Sequence, residues 1–478
     1  MEKLRLFALI GLMVYFAVLL FAVTKEKKNE NVLDYFFGGR TMPFWALSIT
    51  FMASWWGAGS AISTADLAFE DGLGAFGYYG VPVLLSTFLM ILGARGIRKV
   101  GYLTQGKMME ARYSGKTARV LAVMILIYMT FNAASQMVGI GSFFGTYLGF
   151  DYELAVILGT AIVLVYSMFG GFRGVVLTDI IQFVLLLFSA LAVFVVAMKN
   201  AGGFSGIRAA AEAAGKPEFM DFFAGAPKYM MYVFTFGCSW MIQANVWQRI
   251  SAARDDRDAR KMAVMSFFAY IPLYLIVVFT GMAGMVLFDT MPTGGIVTTV
   301  VMEYMSPLLG AAAFVGISAA IMSTMDSLIN TGAMTLSMDL FPQKDEKKSL
   351  AFSRTATLLV TGAALLISLR IRSILEISWI ASDVITTGVF VPLILGFFWR
   401  RGNSAGAMAS MVLGLIYCGY NLLISFGLNL PCFWTPQSTG QVLLGVALSI
   451  AAYVLGSLLT PPEYEKADGF RRAAGTAR

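Results

Sequence analysis

The sequence predicts an all-α membrane protein with 13 transmembrane helices, and three observations carry that prediction. Hydrophobic residues make up 58 % of the 478 positions and charged residues only 13 %, a balance outside the range of water-soluble domains. The apolar residues gather into stretches of about 20, the length a helix needs to cross the hydrocarbon core. Lys and Arg fall between those stretches in alternation, as the positive-inside rule requires.

In chain order the stretches are 6–23, 44–67, 77–94, 120–148, 154–170, 177–198, 229–246, 262–286, 309–339, 353–369, 374–399, 405–426 and 440–460. The first is too long for the apolar core of a signal peptide, and Lys25, Lys27 and Lys28 follow it rather than precede it. With the N-terminus outside and the C-terminus inside (N-out/C-in), the inner segments hold 27 of the 35 Lys and Arg residues, those of the tail included. Lys3, Arg5, Lys199, Arg208, Lys216, Lys228, Arg370 and Arg372 fall outside. The net charge of +7 therefore reports topology; spread over loops, it gives no reason to invoke nucleic acid. Cys238, Cys418 and Cys432 have no metal or redox spacing. The absence of His excludes His-based catalysis, and no stretch reads as a soluble enzyme domain. The longest loop, Lys199 to Lys228, is rich in Gly and Ala and is expected to be partly helical.

Two stretches are interrupted. The second holds Gly57, Gly59, Ser60, Ser63, Thr64 and Asp66; the seventh holds Phe236 to Ser239 around Gly237, then Gln243 and Asn245. Broken backbone at membrane depth is tolerated only where it is buried or lines a cavity. Paired breaks in two halves point to inverted repeats with a site at the midplane, with small-residue helix packing as the alternative. Stretches two to six and seven to eleven make two sets of five, and an odd number is what inversion requires. One transporter domain, 1–478, then divides into an extra first helix and loop (1–43), a first inverted repeat (44–198), a second (229–399), two peripheral helices (405–460) and a cytoplasmic tail (461–478).

The ninth stretch carries Ala320, Ser323, Thr324, Asp326 and Ser327 amid apolar residues. A carboxyl there costs at least a few kcal/mol unless it is paired or hydrated. Two adjacent hydroxyls one turn from it suit a small hard cation; alternatively they bond back to carbonyls four residues earlier.

Four motifs in order along the chain resemble those of the sodium:solute symporter family, which includes bacterial sodium/proline, sodium/pantothenate and sodium/sugar cotransporters. They are Gly38-Gly39-Arg40 with Ala53 following, Gly170-Gly171 with Thr178-Asp179 and Gln182, Gln248-Arg249, and Trp399-Arg400-Arg401 with Ala405-Gly406-Ala407. The resemblance implies a LeuT-type fold and a main Na⁺ site built from the carbonyls of Ala53, Trp56 and Ala320 with the hydroxyls of Ser323 and Thr324. It also implies a second cation or proton site at Asp179, Asp326 and Ser327, where Asp326 departs from the expected serine. Two nearby carboxylates without a cation repel, and one takes up a proton. Asp179 reads alternatively as a helix N-terminal acid beside Thr178. By position in that fold, the solute contacts are Ser54, Ser60, Asn132, Gln136, Phe236, Trp240, Trp379 and Ser382, each with a packing role as its alternative.

Asp66 and Asp383 are expected to tilt the bundle negative, with no Arg or Lys at the midplane, which favours an amino acid or amine over an organic acid. The expected function is Na⁺-coupled import of a small polar organic solute by alternating access. A single chain is the expected functional unit, seated in the lipid bilayer of a bacterial inner membrane, since no Asn-x-Ser/Thr sequon is present. The alternatives are a proton-coupled symporter, a passive facilitator, or a membrane-embedded sensor. The lack of a signalling extension after Leu459 argues against the last.

Overall fold

A computed structural model describes residues 2–25, 31–425 and 427–476. Lys27, Lys28 and Arg478, counted above among the inner basic residues, lie outside the described residues. Among the described residues the chain is helical, with a lone bridge between Met42 and Ala253 in place of any sheet. Helix α1 (Glu2–Lys25) is followed by the short α2 (Val32–Phe37), then by α3 (Phe44–Ala53) and α4 (Thr64–Asp71), two halves of one broken helix. Next come α5 (Phe76–Val100), the short α6 (Gln105–Arg112), α7 (Gly115–Leu148) and α8 (Tyr152–Asn200). The long loop holds α9 (Gly203–Ala213), so it is partly helical as expected. A second broken helix follows, α10 (Ala226–Met241) and α11 (Ala244–Ala252), then α12 (Asp256–Leu287) and the short α13 (Ile296–Tyr304). After these run α14 (Pro307–Met334), α15 (Glu346–Ser368), α16 (Ile374–Gly388) and α17 (Phe390–Phe398). The peripheral pair α18 (Ser404–Ser425) and α19 (Thr439–Leu458) precede the tail helix α20 (Tyr464–Ala474).

Each of the 13 apolar stretches overlaps helix, but among the described residues nine helical segments are by themselves long and apolar enough to cross a membrane. A tenth is reached if α16 and α17, bent by 40°, count as one. The shortfall lies in the broken segments, whose halves are too short to pass alone. The stretches 154–170 and 177–198 are not separated by a loop: both belong to α8, which turns sharply at Gly171 (φ 52°, ψ −162°).

Helix α14 is central. In its most apolar window 83 % of residues are buried, against 28 % for α1 at the edge. Gly316 lets α8 approach, since a Cβ there would overlap the Leu185 carbonyl and the Ser189 hydroxyl.

The breaks persist because side chains satisfy the freed backbone groups, which have no water to turn to. At the first break, Thr324 donates to the Ala53 carbonyl at 2.9 Å, Tyr270 to Met52 at 3.2 Å and Ser60 to Trp55 at 3.1 Å. The Ala58 N–H donates to Gln136 Oε1 at 2.7 Å. At the second, the Trp247 indole donates to the Met241 carbonyl (2.8 Å) and Gln105 to Ile242 (2.7 Å). This break falls at Ile242 and Gln243, not at Phe236 to Ser239, which stays helical. Gly237 serves packing there instead: Ser86 donates to its carbonyl at 2.9 Å, and a Cβ would press on Leu85.

The motifs find structural reasons at the basic end of the bundle. Gly38 and Gly39 make a left-handed turn (φ 55° and 66°) whose carbonyl accepts from Arg173 at 3.2 Å. Buried Arg112 donates to the carbonyls of Gly396, Trp399 and Gly402 at 2.9–3.0 Å, serving groups left free where α17 ends.

Candidate ion and solute site

Three of the five oxygens expected to hold Na⁺ come together where α14 crosses the first break. The Thr324 hydroxyl lies 2.9 Å from the Ala53 carbonyl and 3.4 Å from the Ala320 carbonyl. Trp56 and Ala320 line one crevice, with the Trp56 ring stacked on Tyr270. Ser323, the neighbour of Thr324, donates to Asp179 Oδ1. The alternative of back-bonding applies in part, because the Ala320 carbonyl is the one four residues before Thr324. The Ala53 contact, 271 residues away in the chain, is no such local bond. Small oxygens from two helices thus converge beside an irregular segment, the arrangement a cation needs in exchange for its hydration shell.

One turn along α14 the chemistry changes. Asp179 accepts from Thr50, Ser323 and the Arg249 guanidinium (3.3 Å), and Arg249 also donates to Ser327 at 2.7 Å and to Thr50 at 3.1 Å. Arg249 and Asp179 are both fully buried. The expectation of no Arg or Lys at the midplane overlooked Arg249, which α11 carries back into the core beside Asp179. Nor is Asp179 a helix N-terminal acid, since it lies two turns past the kink at Gly171. Asp326 is buried as well and accepts from Ser167. Of the two buried carboxyls, only Asp179 is paired with the guanidinium; Asp326 has the Ser167 hydroxyl.

A small cavity of about 40 Å³ adjoins the break on its other side. Five of the eight expected solute contacts line it: Ser54, Ser60, Asn132, Gln136 and Trp240. Phe236 stands behind Trp240, stacked on it at 4.7 Å with an angle of 7°. Trp379 and Ser382 are not among the lining residues; Ser378 takes that face of α16. A step of one residue turns a helix by about 100°, which takes Trp379 off that face, whereas Ser382 shares the face of Ser378 one turn further along.

Sequence reasoning did not place Trp55, Tyr79 or Gln243 at this cavity. Gln243 had a signal, as part of the second interruption, and its carbonyl oxygen accepts from the Trp55 indole, tying the two breaks together. Asp66 and Asp383 stand apart from the cavity. Asp66 accepts from the Ile296 N–H at 2.8 Å at the start of α13, and Asp383 from Gln441 of α19 at 3.2 Å. Neither lines the cavity, whose lining holds no ionisable carboxylate, Lys or Arg.

Toward the basic end, Gln248 ties α11 to α2 and α14. Gln248 donates to the Phe36 carbonyl at 2.7 Å and to Asn330 at 3.1 Å, and accepts from Thr331 at 2.9 Å.

Comparison with known proteins gives a concordant result. The model of the sodium:solute symporter family matches residues 35–414. The osmoregulated proline transporter OpuE of Bacillus subtilis is 27 % identical over 95 % of this chain and 94 % of its own. The sodium/pantothenate symporter of Haemophilus influenzae is 25 % identical, covering 96 % of each. Among solved structures, a Na⁺-coupled sialic acid symporter in a substrate-bound outward-open state superposes with a TM-score of 0.79 at 17 % identity, over 95 % of this chain and 98 % of that one.

Proposed function

This chain belongs to the sodium:solute symporter family and is a Na⁺-coupled transporter, not an enzyme; we propose that it imports a small, polar, uncharged or zwitterionic solute through the cavity beside the α3–α4 break. The observation that carries this reading is the meeting of Thr324 with the Ala53 and Ala320 carbonyls at the wall of that cavity. Na⁺ bound there by Ala53, Trp56, Ala320, Ser323 and Thr324 would hold α14 to the broken helix and fix the cavity wall. Coupling follows because the ion shifts the equilibrium only through its different affinity for the two access states. Inward Na⁺ movement yields about 2.3 kcal/mol per 100 mV, enough for about 40-fold accumulation of a neutral solute.

The lining of Ser, Asn, Gln, Trp and Tyr without ionised groups favours an amino acid zwitterion or a polyol over an amine or a dicarboxylate. Ser54, Ser60, Asn132, Gln136 and Trp240 would touch the solute, with Phe236 supporting Trp240; Trp379 would act from beside Ser378 and Ser382 from one turn along the same face. At Asp179, Asp326 and Ser327, Arg249 supplies one positive charge. A single Na⁺ at the main site then balances the remaining carboxylate, so we read the stoichiometry as one Na⁺ per solute, with a proton on Asp326 as the competing arrangement.

We further propose 13 crossings, N-out/C-in, in a bacterial inner membrane, with one chain as the functional unit. The repeats would span 44–198 and 229–399, each with one broken helix, flanked by 1–43, 405–460 and the tail 461–478. Support comes from the distribution of Lys and Arg and from the two breaks.

The test is uptake into proteoliposomes under an imposed inward Na⁺ gradient, screening radiolabelled proline, pantothenate and glucose as representatives of three solute classes. Accumulation of one of them driven by Na⁺ and not by K⁺ is expected. Uptake driven equally by a proton gradient without Na⁺ would move the assignment to proton coupling.

A further inference from the structure

A second cavity, of about 250 Å³, opens at the basic end of the bundle and shares no lining residue with the solute cavity. Its walls are the last turns of α5, the half-helix α11, α17 and the end of α20. The tail is fixed there: Thr476 donates to the Phe397 carbonyl at 2.7 Å, and α20 approaches Gly96 so closely that a Cβ would meet the Ala474 carbonyl at 3.3 Å.

The walls are of two kinds. Trp247, Phe397 and Ile394 make an apolar floor, while Arg95 and Lys99 stand on the α5 side. Lys99 reaches Asp256 only at 3.8 Å, and Arg95 makes no hydrogen bond or ion pair among the described residues. The apolar surface continues out of the cavity onto the flank of the bundle, where Leu92 is 66 % and Phe398 63 % exposed. Leu92 precedes Arg95 by three residues, so the exposed apolar side chain and the unpaired guanidinium share one face of α5, about one turn apart.

An occupant matching this boundary has an anionic head and a hydrocarbon chain. A free anion has no use for the apolar floor, and a neutral lipid leaves the basic pair without a partner. We propose that this cavity binds an anionic phospholipid of the leaflet at the basic end, its phosphate held by Arg95 and Lys99 and an acyl chain lying past Leu92 and Phe398 onto Trp247. The proposal does not depend on the identity of the solute or the ion. It has a consequence for transport, because α11 forms one wall and carries Gln248 and Arg249 at its other face. A lipid seated between α5 and α11 favours this arrangement of the two, as any ligand favours the state it fits better.

Quenching by phosphatidylglycerol with brominated acyl chains tests this on the purified full-length protein in detergent micelles. Trp247 is the reporter, isolated as the difference between wild type and Trp247→Phe. The expected result is saturable quenching of the Trp247 signal, at far lower lipid than brominated phosphatidylcholine requires. The double variant Arg95→Gln/Lys99→Gln should weaken it about thirtyfold, from the contribution of two basic residues near an anionic headgroup. Inorganic phosphate at millimolar concentration should not relieve it. Equal quenching by the two lipids, or undiminished quenching in the double variant that still shows its Na⁺-dependent fluorescence change, overturns the proposal. Relief by inorganic phosphate also overturns it and assigns the basic pair to a soluble anion.

Discussion

Thr324 and Ser327 stand less than one turn apart on α14, yet their surroundings are opposite. Thr324 meets backbone carbonyls of the broken helix and of its own helix, all uncharged. Ser327 meets a guanidinium that is itself paired with a buried carboxylate. The first region suits an ion that must come and go, since a cage of neutral oxygens holds a monovalent cation without trapping it. The second already contains its cation, covalently attached, and joins α11 to α3, α8 and α14. Buried ion pairs are poor sources of net stability but costly to split, which suits a latch between elements that must stay in register.

The largest effect expected from disturbing this contrast is in the charged region. Arg249→Ala leaves Asp179 buried without its partner and should destabilise the protein by about 3–5 kcal/mol, seen as a lowered thermal midpoint in detergent. Adding Asp179→Ala should recover part of that loss, and a double variant worse than the single one would contradict the pairing. Gly57→Ala comes next. Its Cβ would meet the Gln136 side chain and, at 3.0 Å, Thr324 Cγ2. Overpacking of this kind costs about 1–3 kcal/mol, and Na⁺ affinity should fall with stability, whereas Gly362→Ala, with nothing within 4 Å, should change neither.

Ser323→Ala separates the two regions more finely, because its hydroxyl donates to Asp179 while its neighbour Thr324 meets the neutral carbonyls. Removing one hydrogen-bonding partner costs about 1–3 kcal/mol, so Na⁺ affinity should drop about tenfold or more while the fold remains. An unchanged Na⁺ titration would make Ser323 a structural partner of Asp179 alone. The smallest effect is reserved for Asp66→Asn, which keeps an acceptor for the Ile296 N–H. Loss of its charge at the start of α13 should cost about 0.3–1 kcal/mol, and the Na⁺ titration should superimpose on wild type.

The same contrast explains how far the sequence could be read. Ser323 and Thr324 are adjacent, and Gly57 to Ser60 announce a weak helix, so the neutral region is written in local patterns. Arg249 is 70 residues from Asp179, and its position after an apolar stretch fits an inner loop equally well. Only the return of α11 into the core, which no local pattern encodes, brings the two together. Asp66 and Asp383 misled for the same reason: an acid in an apolar stretch signals a partner but not which one, and here the partners are a helix N-terminus and Gln441. On α16 the correct helix was legible, but Trp379 lies about 100° round from the lining Ser378 and Ser382 one turn beyond it on the same face. The number of crossings suffers from the breaks, which shorten α3 and α10 and join two apolar stretches into the bent α8.

The central claim is that Na⁺ binds where Thr324 meets the first break. Tryptophan fluorescence of the purified protein, titrated with Na⁺ against matched K⁺, tests it most directly in wild type and Thr324→Val, with Trp56 beside the site as reporter. A saturable change specific to Na⁺ in wild type, shifted at least about tenfold in the variant by loss of one oxygen ligand, is the predicted result. A Na⁺ response of equal midpoint in both proteins would contradict the account and place the ion elsewhere.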